Sequence, residues 1–432
     1  MDDFRYRVDG EQGLLGCEDV CLDQLADDVG TPVYVYSQAT LEGHFDRLAK
    51  AFTALDPLIC FSVKSCSNTS VCRVLTQRGS GLDLVSGGEL YRALKAGVDP
   101  SKCVYAGVGK RPDEIIAAIE AGVGWLNVES GQECALIGRL AEQVGRPCQA
   151  ALRVNPDVQT DTHHHTATGH RGTKFGVQLD QVEQFFERYG SSEWCKLCGI
   201  HLHIGSPILE VEPYVTAVKK GLALMDRLQS LGYTIDMFDL GGGFGADYES
   251  GQAPEASVYA EAIVPLLESR VAQGLQVVLE PGRSIAANAG VLLLTVLYVK
   301  ESDGQIFLIC DGGMNVMLRP ALYDAFHFVW PTRVHKSQIP PTRSQEVLVE
   351  GLSPVSVVGP ICETGDIIAK NRALPKVKAG DRLAVFGSGA YGMSMASQYN
   401  SQPLPPEVLV VGKEATVIRR RETYADLVAM ET

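Results

Sequence analysis

The sequence contains no apolar segment long enough to cross a bilayer. Its longest apolar run, VLLLTVLYV at residues 291–299, is far shorter than the roughly 20 residues of a membrane-spanning helix. The N-terminal MDDFRYRVDG is charged and lacks the apolar core of a secretory signal. We therefore expect a cytoplasmic protein that does not bind membranes.

An excess of positive charge is also missing. The 38 Lys and Arg residues are outnumbered by 52 Asp and Glu residues, which gives a formal net charge of -14. Because sequence-independent binding of nucleic acid depends on basic side chains that neutralise phosphates, this balance argues against a nucleic-acid partner.

Cysteine is present, but not in the spacing of a disulfide framework or a zinc site. The 12 cysteines are scattered along the chain. The one CxxC, formed by Cys195 and Cys198, has no second pair and no neighbouring histidine ligands. We therefore expect reduced, mostly buried thiols and no metal site.

What the sequence does contain is an alternation of short β-prone runs and longer helical runs from about residue 57 to about residue 285. The eight predicted strands are LICFSV, LDLVS, CVYAG, WLNVE, AALRVN, GIHLHIG, MFDLGGG and VVLEPG. Eight such units over roughly 230 residues match the length of a (β/α)8 barrel. A doubly wound open sheet is the alternative, because alternation alone does not prove closure.

Beyond about residue 286 the pattern changes to apolar runs separated by turn residues, such as GVLLLTVLYVK, GQIFLIC and DRLAVFG. This pattern predicts a second domain of mostly antiparallel β-strands. We therefore expect a cofactor-binding barrel over residues 37–285 and a β domain over residues 286–432. The N-terminal segment of residues 1–36 is expected to pack with the β domain.

Chemistry-bearing residues lie at the predicted strand ends, where barrel enzymes place their active sites. Lys64 ends the first strand, and His201 and His203 share one face at the end of the sixth. Glu280 ends the eighth strand and is followed by Arg283. Taken alone, each has an ordinary structural explanation as an exposed lysine, a core histidine or a surface ion pair.

A glycine run, DLGGGFG at residues 239–245, follows the seventh strand. Glycines let backbone N–H groups approach and surround an anion, and the loops after strands seven and eight commonly form the phosphate site of such barrels. An imine-forming amine, a phosphate cradle, a flat imidazole and a carboxylate are together the parts that a pyridoxal phosphate site requires.

Longer motifs carry a resemblance over nearly the whole chain. They are FSVKSCSN, GLDLVSGGEL, HLHIGS, DLGGGFG, EPGRSIAANAG, DGGMNVMLRPALYDAFH, VVGPICETGDIIAK and GAYGMSMASQYNSQPLPPEVLV. The chain resembles the pyridoxal-phosphate-dependent barrel decarboxylases of the alanine racemase fold, and most closely the branch that acts on meso-2,6-diaminopimelate; the last three motifs are specific to that branch. The resemblance implies conversion of this substrate to L-lysine and CO2, the last step of bacterial lysine synthesis.

The resemblance also implies roles for residues. Lys64 would form the Schiff base with the cofactor, His203 would stack on its ring and Glu280 would pair with its pyridine nitrogen. The groups expected around the phosphate or the neighbouring substrate are Ser206, Gly241, Gly242, Gly243, Gly282, Arg283 and Tyr391. Cys362, the candidate acid that returns a proton to Cα, and Glu363 would reach into the active site of the opposite subunit, which implies a homodimer.

The charges expected at the site favour a particular substrate. Diaminopimelate carries a second amino-acid head, so its site should present a cation to the distal carboxylate and an anion to the distal ammonium. Arg319 and Tyr323, with Arg283, would supply the first, and Glu363 would supply the second. Tyr391 would line the same wall. A diamine-forming decarboxylase would need only the anion.

Other functions stay open from the sequence. A neighbouring decarboxylase that acts on ornithine, lysine, carboxynorspermidine or a carrier-linked amino acid would keep the cofactor residues and change the surroundings of Arg319 and Glu363. A racemase of this fold needs a different two-base arrangement. Retention of Lys64, Glu280 and Cys362 argues against a non-catalytic regulator, and the large β domain argues against a simple cofactor carrier.

Two stretches depart from the usual motifs. SVKSCSN replaces a shorter form, and the role of its Cys66 is open. The segment THHHTATGHRGTKFG carries extra histidines, namely His163, His164, His165 and His170. We interpret them as part of a solvated loop rather than as metal ligands, because consecutive side chains point in divergent directions and no flanking carboxylate pattern accompanies them.

Overall fold

The computed structural model describes residues 2–158 and 174–432, so the four histidines at positions 163, 164, 165 and 170 lie outside the described residues. The chain divides into two compact units. The barrel unit comprises His44–Gly245 and Pro254–Ser284, and the β unit comprises Met1–Gly43, Ala246–Ala253 and Ile285–Thr432. Within the described ranges, no helix has the length and apolar character needed to cross a membrane.

The first elements of the chain are short strands and two helices. They are β1 (Phe4–Asp9), β2 (Gln12–Cys17), β3 (Val20–Cys21), α1 (Leu22–Val29), β4 (Val33–Ser37) and α2 (Gln38–Ala51). Strand β4 is buried along its whole length, as expected for a central strand of a sheet.

Among the described residues, the barrel unit contains eight parallel strands and one short additional strand. In chain order they are β5 (Leu58–Ser62), β6 (Gly81–Leu84), β7 (Cys103–Tyr105), β8 (Trp125–Val128), β9 (Cys148–Asn155), β10 (Val177–Gln178), β11 (Cys195–Leu202), β12 (Met237–Asp239) and β13 (Gln276–Leu279). Strand β9 pairs with both β8 and β11, and β13 pairs with β5, so the sheet closes on itself. The predicted barrel is confirmed, and this closure excludes the open sheet.

In the described part of the barrel unit, seven α-helices lie between the strands. They are α3 (Thr69–Gln77), α4 (Gly87–Ala96), α5 (Pro112–Ala121), α6 (Gly131–Val144), α7 (Val182–Tyr189), α8 (Glu212–Ser230) and α9 (Ala256–Val271). Helix α4 shows why they begin and end where they do. The Ser86 side chain accepts a hydrogen bond from the Glu89 N–H, and Gly97 ends the helix in the left-handed conformation that an L side chain disfavours.

A buried cluster fills the barrel. It consists of Cys60, Val104, Trp125, Ala151, Met237 and Val278. These residues come from six strands around the ring, so their side chains close its interior below the strand ends. Polar chemistry is therefore confined to the mouth formed by the carboxyl ends of the strands.

The rest of the β unit follows the barrel. Helix α10 (Arg283–Ala286) begins with the last two residues of the barrel unit. The elements after it are β14 (Gly290–Ser302), β15 (Gln305–Cys310), α11 (Arg319–Tyr323), β16 (Val329–Pro331), β17 (Arg333–His335), β18 (Leu352–Val358), β19 (Ile367–Pro375), β20 (Arg382–Val385), β21 (Glu407–Val411), β22 (Glu414–Arg419) and α12 (Tyr424–Leu427). The main sheet has the order β19-β18-β15-β14-β4-β21-β22. Most pairs are antiparallel as predicted, whereas β15–β18 and β4–β21 are parallel.

Candidate active site

Lys64 lies just beyond the carboxyl end of β5, in the short turn Val63–Ser65. Its Nζ is 2.5 Å from Oδ2 of Asp83, which lies on the neighbouring strand β6. The Lys64 side chain is 33% exposed, whereas Asp83 is fully buried. Burial raises the pKa of Asp83, and the Lys64 ammonium opposes that rise. The barrel thus holds a reachable amine at its mouth with a buried acid beneath it.

Glu280 directly follows β13 and is 3% exposed. Asn127 Nδ2, on β8, donates a hydrogen bond of 3.3 Å to Glu280 Oε1, and His201 Nε2, on β11, lies 3.4 Å from Oε2. Burial alone would raise the pKa of Glu280. Favourable interactions with His201 and Lys64 outweigh it and hold this pKa well below its usual range. Glu280 is therefore a buried carboxylate that stays ionised.

A second acid, Asp239, ends β12 beside Glu280. Its Oδ1 accepts a hydrogen bond of 2.8 Å from the Gly241 N–H, and its Oδ2 accepts one of 3.4 Å from Asn127 Nδ2. Burial and the charge of Glu280 raise the pKa of Asp239 well above its usual range. Of the two neighbouring acids, Glu280 therefore carries the charge and Asp239 carries the proton.

His201, Asp239 and Glu280 also have the ligand types of a small metal site. Their ligand atoms all lie within 4.8 Å of one another. Within this group, His201 Nε2 lies 3.4 Å from Glu280 Oε2, so the arrangement also holds the Glu280 carboxylate in place.

His203 follows β11 and faces the same mouth. Burial is the main cause that lowers its pKa to about 3, and the positive charges of Arg153 and Lys64 add to it. Arg153 is itself buried and pairs with Glu129 at 3.0 Å. His203 is therefore a neutral, flat imidazole at physiological pH, which suits stacking against an aromatic ring.

The glycine run after β12 packs too closely for side chains. A Cβ atom on Gly242 would lie 2.2 Å from the Glu280 carbonyl oxygen, and one on Gly243 would lie 2.4 Å from the Gly205 carbonyl oxygen. Tyr214 donates a hydrogen bond of 2.9 Å to the Gly242 carbonyl and thereby anchors the loop. Gly241, Gly242 and Gly243 together form a tight backbone loop that a phosphate can approach.

Further polar groups follow strands β11 and β13 at the barrel mouth. Arg283 Nε donates a hydrogen bond of 3.1 Å to Ser206 Oγ. A Cβ atom on Gly282 would lie 2.8 Å from Ser62 Cβ, so glycine is required there too. The buried Ser284 Oγ has no hydrogen-bond partner among the residues that the structure describes.

The remaining predicted site residues lie in the β unit. Arg319 is buried at the start of α11, and its guanidinium lies 2.8 Å from His327 Nε2 and 4.4 Å from the centre of the Tyr248 ring. Tyr323 ends the same helix and is half-buried. Tyr391 is half-buried and has a φ of 56°, a conformation that is rare for a bulky residue and concentrated at functional sites.

Cys362 and Glu363 lie on an exposed turn of the β unit between β18 and β19. The Cys362 N–H donates a hydrogen bond of 3.0 Å to Asn400 Oδ1. Tyr399 donates its hydroxyl to Glu363 Oε2 at 2.9 Å. The turn therefore presents a thiol and a carboxylate to solvent, each held by the segment that precedes β21.

The structure groups the sequence-predicted residues by unit. Lys64, His203, Ser206, Gly241, Gly242, Gly243, Glu280, Gly282 and Arg283 converge at the barrel mouth, and Arg319, Tyr323, Cys362, Glu363 and Tyr391 belong to the β unit. Sequence reasoning assigned no role to Asp83, Asn127, Arg153 or Asp239. Their position could have indicated a role at the site, because each is a polar residue on a predicted barrel strand.

Comparisons with known proteins agree with this chemistry. Residues 38–287 match the family described as pyridoxal-dependent decarboxylase, pyridoxal binding domain. The chain is 43% identical to the diaminopimelate decarboxylase of Pseudomonas aeruginosa, over 100% of this chain and 99% of that protein.

Two solved structures are also similar to the chain. The diaminopimelate decarboxylase of M. jannaschii in co-complex with L-lysine has a TM-score of 0.91 at 32% identity, covering 100% of this chain and 99% of that one. The enzyme of the same name from Helicobacter pylori, complexed with L-lysine, has a TM-score of 0.87 at 37% identity, covering 95% and 99%. The chain therefore belongs to the diaminopimelate decarboxylase family of pyridoxal-dependent decarboxylases.

Proposed function

We propose that the chain decarboxylates meso-2,6-diaminopimelate to L-lysine and CO2, with pyridoxal phosphate held at the barrel mouth. The observation that carries this proposal is the pairing of a reachable amine, Lys64, with a buried and ionised carboxylate, Glu280, at one mouth. Relatives named as diaminopimelate decarboxylases support the choice of substrate.

The residues at the mouth fit the cofactor. Lys64 supplies the amine that would hold its aldehyde carbon. Any Cβ atom on Gly241, Gly242 or Gly243 would meet backbone, so only glycine permits this loop, whose backbone N–H groups would approach the phosphate. Ser206, Gly282 and Arg283 supply further polar groups, and we propose that Tyr391 completes the phosphate site. A buried hydroxyl without a partner, Ser284 Oγ, is available to the same anion.

When bound, pyridoxal phosphate supplies an electron sink for the bond that breaks at the substrate Cα. The chain's own residues tune this chemistry. Glu280, kept ionised by His201 and Lys64, would hold a proton on the pyridine nitrogen. His203, kept neutral by burial, would pack on the ring face without competing for that proton.

Groups of the β unit would select the substrate and return a proton to Cα. Cys362 is the proposed acid, since its thiol is exposed and a positioned general acid contributes roughly 10²–10⁴-fold to a rate. Glu363 would bind the distal ammonium. Arg319 and Tyr323, with Arg283 and Tyr391, would bind the distal carboxylate, which ornithine and lysine lack.

We further propose a homodimer in which Cys362 and Glu363 complete the site of the partner subunit. Both residues lie on an exposed turn of the β unit, where a second copy of the chain can reach them, and two-fold dimers are the commonest soluble oligomers.

We also propose a cytoplasmic location. All 12 cysteines are free thiols, which supports a reducing compartment.

One assay tests the proposed function. CO2 release by the purified, cofactor-loaded protein is measured with meso-diaminopimelate, L-lysine, L-ornithine and carboxynorspermidine at equal concentrations. We expect release from meso-diaminopimelate to exceed release from each of the others by at least ~100-fold, as expected when charged partners in the site would be left unpaired by the wrong substrate. Faster release from any other substrate would contradict the proposed specificity.

A further inference from the structure

We infer that Tyr399 and Asn400 are positioning residues that fix the active-site turn carrying Cys362 and Glu363. This inference rests on the proposed function, in which Glu363 binds the distal ammonium and Cys362 returns the proton. Tyr399 would act on substrate recognition through Glu363, and Asn400 would act on proton return through Cys362.

The contact from Tyr399 orients one carboxylate oxygen and leaves the other available. The Tyr399 hydroxyl donates a hydrogen bond of 2.9 Å to Glu363 Oε2. The neighbouring carboxylate raises the pKa of Tyr399, so the phenol keeps the proton that it donates. Glu363 is exposed, and an exposed glutamate has several rotamers of similar energy. The bond selects one of them and leaves Oε1 for an ammonium group.

The contact from Asn400 fixes the backbone beneath the thiol. Asn400 Oδ1 accepts a hydrogen bond of 3.0 Å from the Cys362 N–H. Asn400 itself has a φ of 55°, in the left-handed region that asparagine tolerates better than most residues. Its side chain reaches the turn from this conformation, so both the backbone angle and the amide oxygen are needed.

The other side of the turn is fixed by Asp366. This carboxylate is 3% exposed, and it accepts hydrogen bonds of 2.7 Å from the Ile361 N–H and 2.6 Å from the Met314 N–H. Cys362 and Glu363 thus lie between a buried anchor and an exposed one. The exposed anchor is the adjacent pair Tyr399 and Asn400. Because Asn400 bonds to Cys362 and Tyr399 bonds to Glu363, this pair sets the directions of the thiol and the carboxylate together.

The first test replaces Tyr399 with phenylalanine, which removes only the hydroxyl. We expect the KM for meso-diaminopimelate to rise about tenfold, the loss expected from one hydrogen bond to a charged group, while kcat changes less than about twofold. L-2-Aminopimelate lacks the distal ammonium, so its inhibition constant should stay the same. Tyr424→Phe is the matched control, because Tyr424 is 79% exposed in the same unit.

The second test replaces Asn400 with glycine, which keeps the left-handed backbone and removes the acceptor. We expect kcat to fall about tenfold with little change in KM, and Asn400→Asp, which retains an acceptor oxygen, to recover most of that loss. Asn371→Gly is the matched control, since Asn371 also has a left-handed φ of 50°. In the cofactor-free protein, iodoacetamide should alkylate Cys362 faster in Asn400→Gly than in the control.

The outcomes separate this inference from the proposed function. If the wild-type protein releases no CO2 from meso-diaminopimelate, the proposed function fails, whereas the alkylation rates still report on the turn. If the wild-type protein is active and Tyr399→Phe leaves the KM unchanged, the role of Tyr399 is overturned. Equal kcat values for Asn400→Gly and Asn371→Gly would overturn the role of Asn400.

Discussion

Lys64 is an ordinary residue type whose surroundings decide its chemistry. Its amine lies 2.5 Å from the buried Asp83, and its side chain is one-third exposed. We predict that Lys64→Ala loses the visible absorbance that lysine-bound pyridoxal phosphate gives, together with all measurable decarboxylation, because no other amine replaces the attachment point. Absorbance spectra of the purified protein check this. Lys95→Ala, at an exposed lysine, is the control and should keep the absorbance. An absorbance band that persists in Lys64→Ala would refute attachment of the cofactor to Lys64.

Glu89 offers a prediction about stability and pH. Its Oε2 accepts a hydrogen bond of 2.8 Å from the Val85 N–H, but burial raises its pKa to about 7. When the pKa of a glutamate is higher in the folded than in the unfolded state, its contribution to the free energy of unfolding is greatest below the unfolded-state pKa of about 4.3. This contribution is lost as the pH rises towards the folded-state pKa of about 7. Glu89→Gln should therefore raise the melting temperature, and by more at pH 7.5 than at pH 5.5.

Glu114 is the matched control for this measurement. It also accepts a backbone hydrogen bond, of 2.8 Å from the Gly87 N–H. Burial opposes its ionisation, yet its backbone hydrogen bonds and Arg111 hold its pKa below the usual value. Its contribution is therefore present at neutral pH and lost on acidification, so Glu114→Gln should lower the melting temperature at pH 7.5. Equal effects of the two substitutions would contradict the assigned charge states.

At the scale of elements, the loop after β12 is packed so closely that it excludes side chains at its glycine positions. A Cβ atom on Gly242 would lie 2.2 Å from the Glu280 carbonyl oxygen, so Gly242→Ala must push the loop away from the strand that positions Glu280. We predict that cofactor affinity falls at least ~10-fold, measured by fluorescence titration of the cofactor-free protein. Gly109→Ala is the control, because nothing lies within 4 Å of its Cβ position. Equal affinities for the two variants would refute this role of the loop.

The elements of the barrel could be predicted because their signals are local. Each predicted strand overlaps an observed one, and Lys64 and Glu280 lie at strand ends as expected. The polar cluster behind Glu280 could not be predicted. Asn127 and Glu280 are 153 residues apart, and only the closure of the ring brings them together. In the β unit, the apolar runs predicted strands such as β14, β15 and β20 but not β16, β17 or β19. They also did not predict the parallel pairs β15–β18 and β4–β21.

The whole molecule divides the proposed site residues between its two units. The barrel unit carries the groups proposed to hold the cofactor, and the β unit carries Cys362, Glu363 and Arg319. If Cys362 and Glu363 complete the site of the partner subunit, as we propose, the catalytic competence of each chain depends on assembly.

Subunit mixing tests this dependence directly. Neither Lys64→Ala nor Cys362→Ala should have substantial activity as a pure homodimer. If each site takes Lys64 from one chain and Cys362 from the partner, half of the sites in every mixed dimer contain both native residues. Random exchange of equal amounts should then restore roughly a quarter of wild-type activity, because half of the dimers are mixed. A mixture of Lys64→Ala with Lys64→Ala/Cys362→Ala is the control and should stay inactive. If the first mixture gained no more activity than this control, the sites would not be shared between subunits.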